Sequence, residues 1–446
     1  MKMLKEIGLI GLGVMGKNIA LNLSDNGVII KGFNDSKQKL DEIKKEFSAE
    51  FEGYTNINDL ISNISKPRTI LLMVPSGKAT KDVIEKIDNL LDEGDLVIDG
   101  GNSFYLDSEA NGINLNQKKI NFIGMGVSGG EEGARNGPAI MVGHKNKISE
   151  ELKNTLSAIS AKTDQDCIGF YEGFGSGHFI KMVHNGIEYA EMQLIAEIYE
   201  ILTRSKKTNE EVAVFFDNLS KEGQSSYLIE ITSKILRQNK DGDYILDQIK
   251  PFANNKGTGK LTVETSLNLK IPLPSIFAAY DARVQSNSKK NWEETINEEG
   301  EFSEKDLSSC LYFGRVASMI QGLELINKFV EEIDLGIVLN NWSGGCIIRS
   351  NLLNELDDIN SSSKDFINDS KLNKIFKDNL NSTKKVISQA VLSTISTPVL
   401  SASFNWYLNL SSLSNPANLI QAQRDFFGRH KVQLIGSEED VNIDWD

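Results

Sequence analysis

Apolar residues in the first third of the chain gather in short runs: Glu6–Ile10, Val28–Phe33, Thr69–Val74, Asp95–Asp99, Asn121–Val127 and Ala139–Val142. Between several of them the apolar positions recur every three or four residues, as in the stretch ending near Asp25 and in Lys78–Leu91. Short apolar runs are the signature of buried strands, and a recurrence of three and four is that of helices. Their alternation predicts a parallel, doubly wound sheet. The rhythm stops near Gly173, where Gly175 and Gly177 read as a hinge. From there to about Leu410 the pattern is helical throughout: Phe179–Arg204, Asn209–Phe216, Ser225–Gln238, Leu311–Val330 and Leu372–Leu392. The stretch from Leu413 is turn-rich, then aromatic and basic, then acidic, and reads as a tail packed on another surface.

Chemistry enters at the first turn. Gly11-Leu12-Gly13-Val14-Met15-Gly16 is a G-x-G-x-x-G between a predicted strand and a predicted helix. The first glycine makes the turn, the second lets a pyrophosphate approach the backbone, and the third lets helix pack on sheet. The helix N-terminus offers unpaired N–H groups and a positive dipole end to the phosphates. Asn34-Asp35-Ser36 follows the second strand. A carboxylate there can accept both ribose hydroxyls of NAD, and it repels the 2′-phosphate of NADP. Lys37 and Lys39 lie close enough in sequence to offset part of that repulsion.

A second constellation opens the helical half. Lys181, His184, Asn185 and Glu188 are spaced by three and four and share one helix face, bordered by Tyr189. Such groups are costly to bury without a purpose. A lysine whose pKa falls on burial can take the proton of a secondary alcohol. The bland reading is a solvated face with a Lys–Glu pair. Two glycine turns follow strands: Asp99-Gly100-Gly101-Asn102-Ser103, and Ser128-Gly129-Gly130, whose hydroxyl and N–H groups suit a carboxylate. Lys256, Lys260, Arg283 and Arg424 are basic residues in polar or glycine-rich settings, suited to a phosphate when several converge.

Length and charge narrow the choice. The 446 residues imply more than one core. A net charge of -14 works against nucleic acid and anionic lipid as partners, and requires a local basic pocket for any anionic substrate. Three scattered cysteines and four histidines, with no paired spacing, predict reduced thiols and no metal site. With no signal peptide and no membrane-length apolar run, the expected location is the cytoplasm.

Together these segments resemble the 6-phosphogluconate dehydrogenases. The match runs through Gly11–Asn18, Leu96–Asn102, Val127–Arg135, Gly177–Tyr189, Lys256–Lys260 and Ile420–Gly428. The resemblance implies an α/β Rossmann-like nucleotide domain over 1–175, a large all-α substrate and dimerisation domain over 176–412, and a C-terminal tail over 413–446 that reaches into the partner of a homodimer. The implied activity is oxidative decarboxylation of 6-phosphogluconate to ribulose 5-phosphate with NAD or NADP. Lys181 then resembles the general base for the C3 hydroxyl, and Glu188 the acid that protonates C1 of the enediol. Asn34, Asp35, Ser36, Val74 and Asn102 join the glycine loop around the cofactor. Asn102, Ser128, Gly129, Gly130, His184 and Asn185 fall to the carboxylate and hydroxyl end of the substrate. Tyr189, Lys260, Thr262 and Arg283 fall to its phosphate, joined by Arg424 and His430 from the partner.

This chain departs from the family pattern in four places, one of them the tail, where Gly428-Arg429-His430-Lys431 replaces a more typical sequence after Phe-Gly while keeping the His. Asp35 stands where the family has Arg, and Pro75 where it has Lys; both favour NAD. The segment before Arg283 is shortened. Two rivals remain at this stage. A β-hydroxyacid dehydrogenase acting on a non-phosphorylated acid would not need Lys260, Arg283 or the basic tail. An inactive dinucleotide-binding regulator would have lost Lys181 or Glu188.

Overall fold

The computed structural model describes residues 2–48, 50–254, 257–288, 300–330, 332–363, 365–412 and 415–445. Lys256 and Leu413 lie outside them. The first part of the chain builds an eight-stranded sheet from β1 (Glu6–Ile10), β2 (Ile29–Phe33), β3 (Phe51–Tyr54), β4 (Thr69–Leu72), β5 (Leu96–Asp99), β6 (Asn121–Ser128), β7 (Ala139–His144) and β8 (Ile168–Glu172). Their order is β3-β2-β1-β4-β5-β6-β7-β8. Successive side chains alternate between the faces. Ile70, Leu72 and Val97 enter the core on one side, and Leu71 and Ile98 the core on the other.

The sheet is not wholly parallel, and this corrects the sequence expectation. β1 to β6 run parallel, β7 pairs antiparallel with β6, and β8 is parallel to β7. The connection between β6 and β7 carries only the short helix Gly130–Asn136. A link of that length lets the chain return in the opposite direction. Two strands escaped the pattern. β3 is a four-residue edge strand, Phe-Glu-Gly-Tyr, with one fully buried side chain. β8 alternates buried and partly exposed positions.

The second half is built around the 29-residue helix Ser176–Arg204, buried on nearly all sides. It packs lengthwise against Glu304–Phe329, where Phe179 stacks on Phe329 with ring centroids 3.7 Å apart. Glu197 accepts hydrogen bonds from the backbone N–H groups of Val399 (2.9 Å) and Leu400 (3.0 Å), capping the helix Pro398–Ser411. Two short hairpins, Asn239–Lys240 with Asp243–Tyr244 and Val432–Gln433 with Asp440–Val441, interrupt the helical pattern.

The expected hinge at Gly175 and Gly177 is a wedge instead. Gly177 sits in the first turn of the long helix, where a Cβ would come 2.3 Å from the Met141 carbonyl oxygen and 2.4 Å from that of Gly124. The glycine lets the helix press its backbone onto β6 and β7. No helix among the described residues is long and apolar enough to cross a membrane.

Candidate active site

The glycine loop has the shape its spacing predicted. Gly11 takes φ +106° at the end of β1, and a Cβ on Gly16 would lie 1.9 Å from the Gly11 carbonyl oxygen. Beyond Gly13, which caps the helix Val14–Asp25, a Cβ would meet nothing within 4 Å. That open approach to a helix N-terminus fits a dinucleotide pyrophosphate. At the end of β2, Asn34 Oδ1 accepts a hydrogen bond from the Ser36 N–H (2.9 Å), and Ser36 caps the next helix. This turn holds Asp35 exposed to solvent, with Lys37 and Lys39 exposed beside it. Val74 and Asn102 lie just beyond the ends of β4 and β5, the first and second strands from β1 in the sheet order.

The stripe on the long helix meets the sheet. Lys181 is 7% exposed and His184 fully buried. Lys181 Nζ lies 3.3 Å from His184 Nδ1, and His184 Nε2 lies 3.1 Å from Ser128 Oγ at the end of β6. Asn185 Oδ1 is 3.2 Å and Glu188 Oε2 3.8 Å from the same His184 Nδ1. With its proton on Nε2 the neutral imidazole donates to Ser128 and accepts from Lys181 at Nδ1; with its proton on Nδ1 it donates to Asn185 Oδ1 and accepts from the Ser128 hydroxyl. Burial pushes the His184 pKa well below its usual value, and the Lys181 charge adds to this. Burial also lowers the pKa of Lys181, against the opposing Glu188 carboxylate. Burial raises that of Glu188, against Lys181 and Arg283. Each shift favours the neutral form. Burial thus tilts Lys181 towards its amine and Glu188 towards its carboxylic acid.

Asn102, Ser103, Phe104, His178, Lys181, Met182, Asn185, Thr258 and Leu261 line one cleft at this point. Sequence reasoning passed over Ser103, His178 and Thr258. The signal for His178 was available, since it stands three residues before Lys181 on the same face. Gly129 and Gly130 form the left-handed turn after Ser128, with φ +132° and +63°.

The expected phosphate ligands separate into four groups. Arg283 lies over the Tyr189 ring, 3.6 Å from its centroid, so these two are together beside Glu188. Lys260 pairs with Glu264 at 3.1 Å on an exposed face. The Thr262 hydroxyl is fully buried and donates to the carbonyls of Met182 (2.9 Å) and Thr258 (3.0 Å). As placed, it braces the helix Thr258–Leu269 against the long helix. Arg424 and His430 are not brought to this site within the chain. Arg424 Nη1 donates to Gln421 Oε1 (3.0 Å), and the His430 ring packs on Phe427. Asp425 accepts from the backbone of Lys431 and Ile443 and from the Trp445 indole, closing the tail on itself. Phe426 and Phe427 remain exposed.

Comparison with known proteins agrees with this geometry. Residues 6–170 match the NAD binding domain of 6-phosphogluconate dehydrogenase, and residues 177–445 match its C-terminal domain. The decarboxylating 6-phosphogluconate dehydrogenase of Lactococcus lactis is 37% identical over 99% of this chain and 98% of that protein. That of Escherichia coli is 36% identical over 99% of each. The 6-phosphogluconate dehydrogenase of Plasmodium falciparum, solved with NADP+ and with 6-phosphogluconate, superposes with a TM-score of 0.91, at 34% identity over 99% of this chain and 100% of that one. With a glycine-loop nucleotide site, a buried Lys–His–Ser chain and full-length similarity in both halves, the chain belongs to the 6-phosphogluconate dehydrogenase family.

Proposed function

We propose that this chain oxidises and decarboxylates 6-phosphogluconate to ribulose 5-phosphate, with Lys181 as the base and Glu188 as the acid. The observation that carries the reading is Lys181, buried beside His184 with its charged form disfavoured, at the end of the sheet that the nucleotide loop opens. The nicotinamide, when bound, supplies a hydride acceptor. Neutral Lys181 takes the C3 hydroxyl proton as the C3 hydride departs, leaving a 3-keto acid. The C1–C2 bond then breaks, carbon dioxide leaves, and the electron pair forms the enediol as Lys181 returns its proton to the C3 oxygen. Glu188 delivers a proton to the carbon that becomes C1 of the product while neutral Lys181 takes the proton of the neighbouring enediol hydroxyl, leaving the C2 ketone. Ser128, the Gly129–Gly130 turn, Asn102 and Asn185 surround the carboxylate and hydroxyl end, with His184 orienting Lys181. Tyr189 and Arg283 receive the phosphate, with Lys260 at its rim. The reading is tested by following nicotinamide reduction and carbon dioxide release with 6-phosphogluconate, and again with gluconate. Equal rates on the two substrates would favour the non-phosphorylated alternative.

The working enzyme in this reading is a cytoplasmic homodimer with shared sites. Arg424 and His430 stand on a self-closed tail with exposed aromatic residues, and complete the phosphate pocket of a second copy. An Arg424→Ala chain and a Lys181→Met chain, each inactive alone, should then complement. One hybrid site per mixed dimer holds both residues, so random mixing gives about a quarter of wild-type activity. Verified mixed dimers with no activity would place the tail on its own subunit.

Asp35 favours NAD. Its carboxylate can accept the ribose hydroxyls and meets a 2′-phosphate with like charge. Solvent exposure weakens both effects. Asp35→Arg should therefore shift the ratio of kcat/KM for NADP over NAD upward by on the order of tenfold, the equivalent of about 1.4 kcal/mol. A wild-type preference for NADP would show that Lys37 and Lys39 outweigh the carboxylate.

A further inference from the structure

Three polar side-chain atoms around the end of β5 are buried without a hydrogen-bond partner: Asp99 Oδ2, Ser103 Oγ and His178 Nε2. Unpaired buried polar atoms are uncommon in folded proteins, and three in one place call for a reason. The mechanism above uses none of them. His178 is their hub. It is 1% exposed, one turn ahead of Lys181 on the long helix, and lines the same cleft as Asn102 and Lys181. Its Nδ1 lies 2.6 Å from Ser108 Oγ. Its ring lies against the backbone of Asp99, Gly101 and Met125, close to the Asp99 carboxylate.

Burial lowers the His178 pKa, opposed by Asp99 and by the surrounding backbone. The Ser108 hydroxyl and Nδ1 share one hydrogen bond, which leaves Nε2 directed away from Ser108. The turn Gly100–Asn102 follows directly from β5 and begins with the Gly101 N–H donating to Asp99 Oδ1 (3.0 Å). The ring therefore touches both ends of one relationship. Its own backbone belongs to the helix of Lys181, and its edge meets the turn that carries Asn102.

We infer that His178 is a positioning residue, a buried spacer whose ring length sets the distance between the Gly100–Asn102 turn and the helix bearing Lys181. Asn102 and Lys181 line one cleft and in the proposed reaction address the same substrate, so their spacing governs how the C3 hydroxyl meets the base. Ser108 fixes the ring in rotation. The inference rests on Lys181 being the base, a reading that wild-type turnover and the Lys181→Met variant test separately.

Two conservative variants divide the ring into its halves. In His178→Gln the amide nitrogen reaches the place of Nε2. In His178→Asn the amide reaches only the place of Nδ1. Steady-state kinetics with 6-phosphogluconate, pH profiles and thermal unfolding are measured for both. His178→Gln is expected to keep KM and kcat within about threefold of wild type. His178→Asn is expected to lose at least about tenfold in kcat/KM at a similar unfolding temperature, as displaced reacting groups do. Equal kinetics in the two variants, or losses that simply follow the unfolding temperature, would overturn the inference. So would a pH-profile limb missing from His178→Gln, which would make the ring a proton-transfer group. If His178→Asn does not fold, Ser108→Ala takes its place. It frees the ring to rotate, and an unchanged KM for 6-phosphogluconate would overturn the inference equally.

Discussion

Replacing Lys181 by methionine should lower turnover by about a thousandfold or more, the upper range for loss of a general base. Nucleotide binding should survive, because the glycine loop and Asp35 lie on other elements. Methionine keeps the length and apolar body of the side chain and removes only the amine. The same change has a signature in stability. Burial lowers the Lys181 pKa, so the folded state holds this proton less tightly than the unfolded chain. The resulting cost is fully present below the folded pKa and fades as pH rises towards the unfolded value. Lys181→Met removes that cost, so the inactive variant should unfold at a higher temperature than wild type near neutral pH, with the difference shrinking in alkali. Calorimetry across pH together with steady-state assays checks both halves. Near-normal activity would take the base role away from Lys181, and a fall in unfolding temperature would contradict the electrostatic account of its burial.

Glu188→Gln should slow product formation by about a hundredfold while sparing hydride transfer. Glutamine preserves shape and hydrogen bonding but has no acidic proton to deliver. The two halves of the reaction are separable in time. A rapid-mixing experiment should show a burst of reduced nicotinamide of normal rate, followed by a slow steady state. In the wild type, burial raises the Glu188 pKa and keeps more of the acid protonated than in a free side chain. The limb of the pH profile in which activity falls with rising pH reports this group, and it should be lost or moved in Glu188→Gln. An unchanged turnover number would remove Glu188 from the reaction.

Legibility in the sequence varied with the range of the interactions concerned. Gly11, Gly13 and Gly16 act through their own backbone and could be read directly. Lys181, His184 and Glu188 share a face by helical geometry alone, and the structure adds Ser128 at 3.1 Å from a strand 56 residues earlier. The reversal of β7 was hidden because apolar periodicity carries no direction. β3 was hidden because an edge strand with Glu52 and Gly53 buries too little to form a run. Thr262 entered only through the family resemblance, and the bond from its hydroxyl to the Met182 carbonyl, 80 residues away in sequence, could be seen only in the fold. His178 was visible as a residue and invisible as a hub, because Ser108 and Asp99 reach it only through the fold.

The wedge at Gly177 bears on how this protein can be divided. The start of the long helix approaches β6 and β7 so closely that a methyl group at Gly124, Gly126, Gly143 or Gly177 would run into backbone or side-chain atoms within 2.5 Å. Lys181 contributes its own Cβ to that seam, facing Gly126. The boundary near residue 175 is thus a place where the chain changes architecture, but a poor place to cut or splice. A nucleotide module excised there would leave behind the helix that covers its last strands, and a chimaera joined there would set the base by the fit between two foreign surfaces. Exchange of cofactor specificity between relatives is better sought by grafting the Asn34–Lys39 turn, which touches none of this seam.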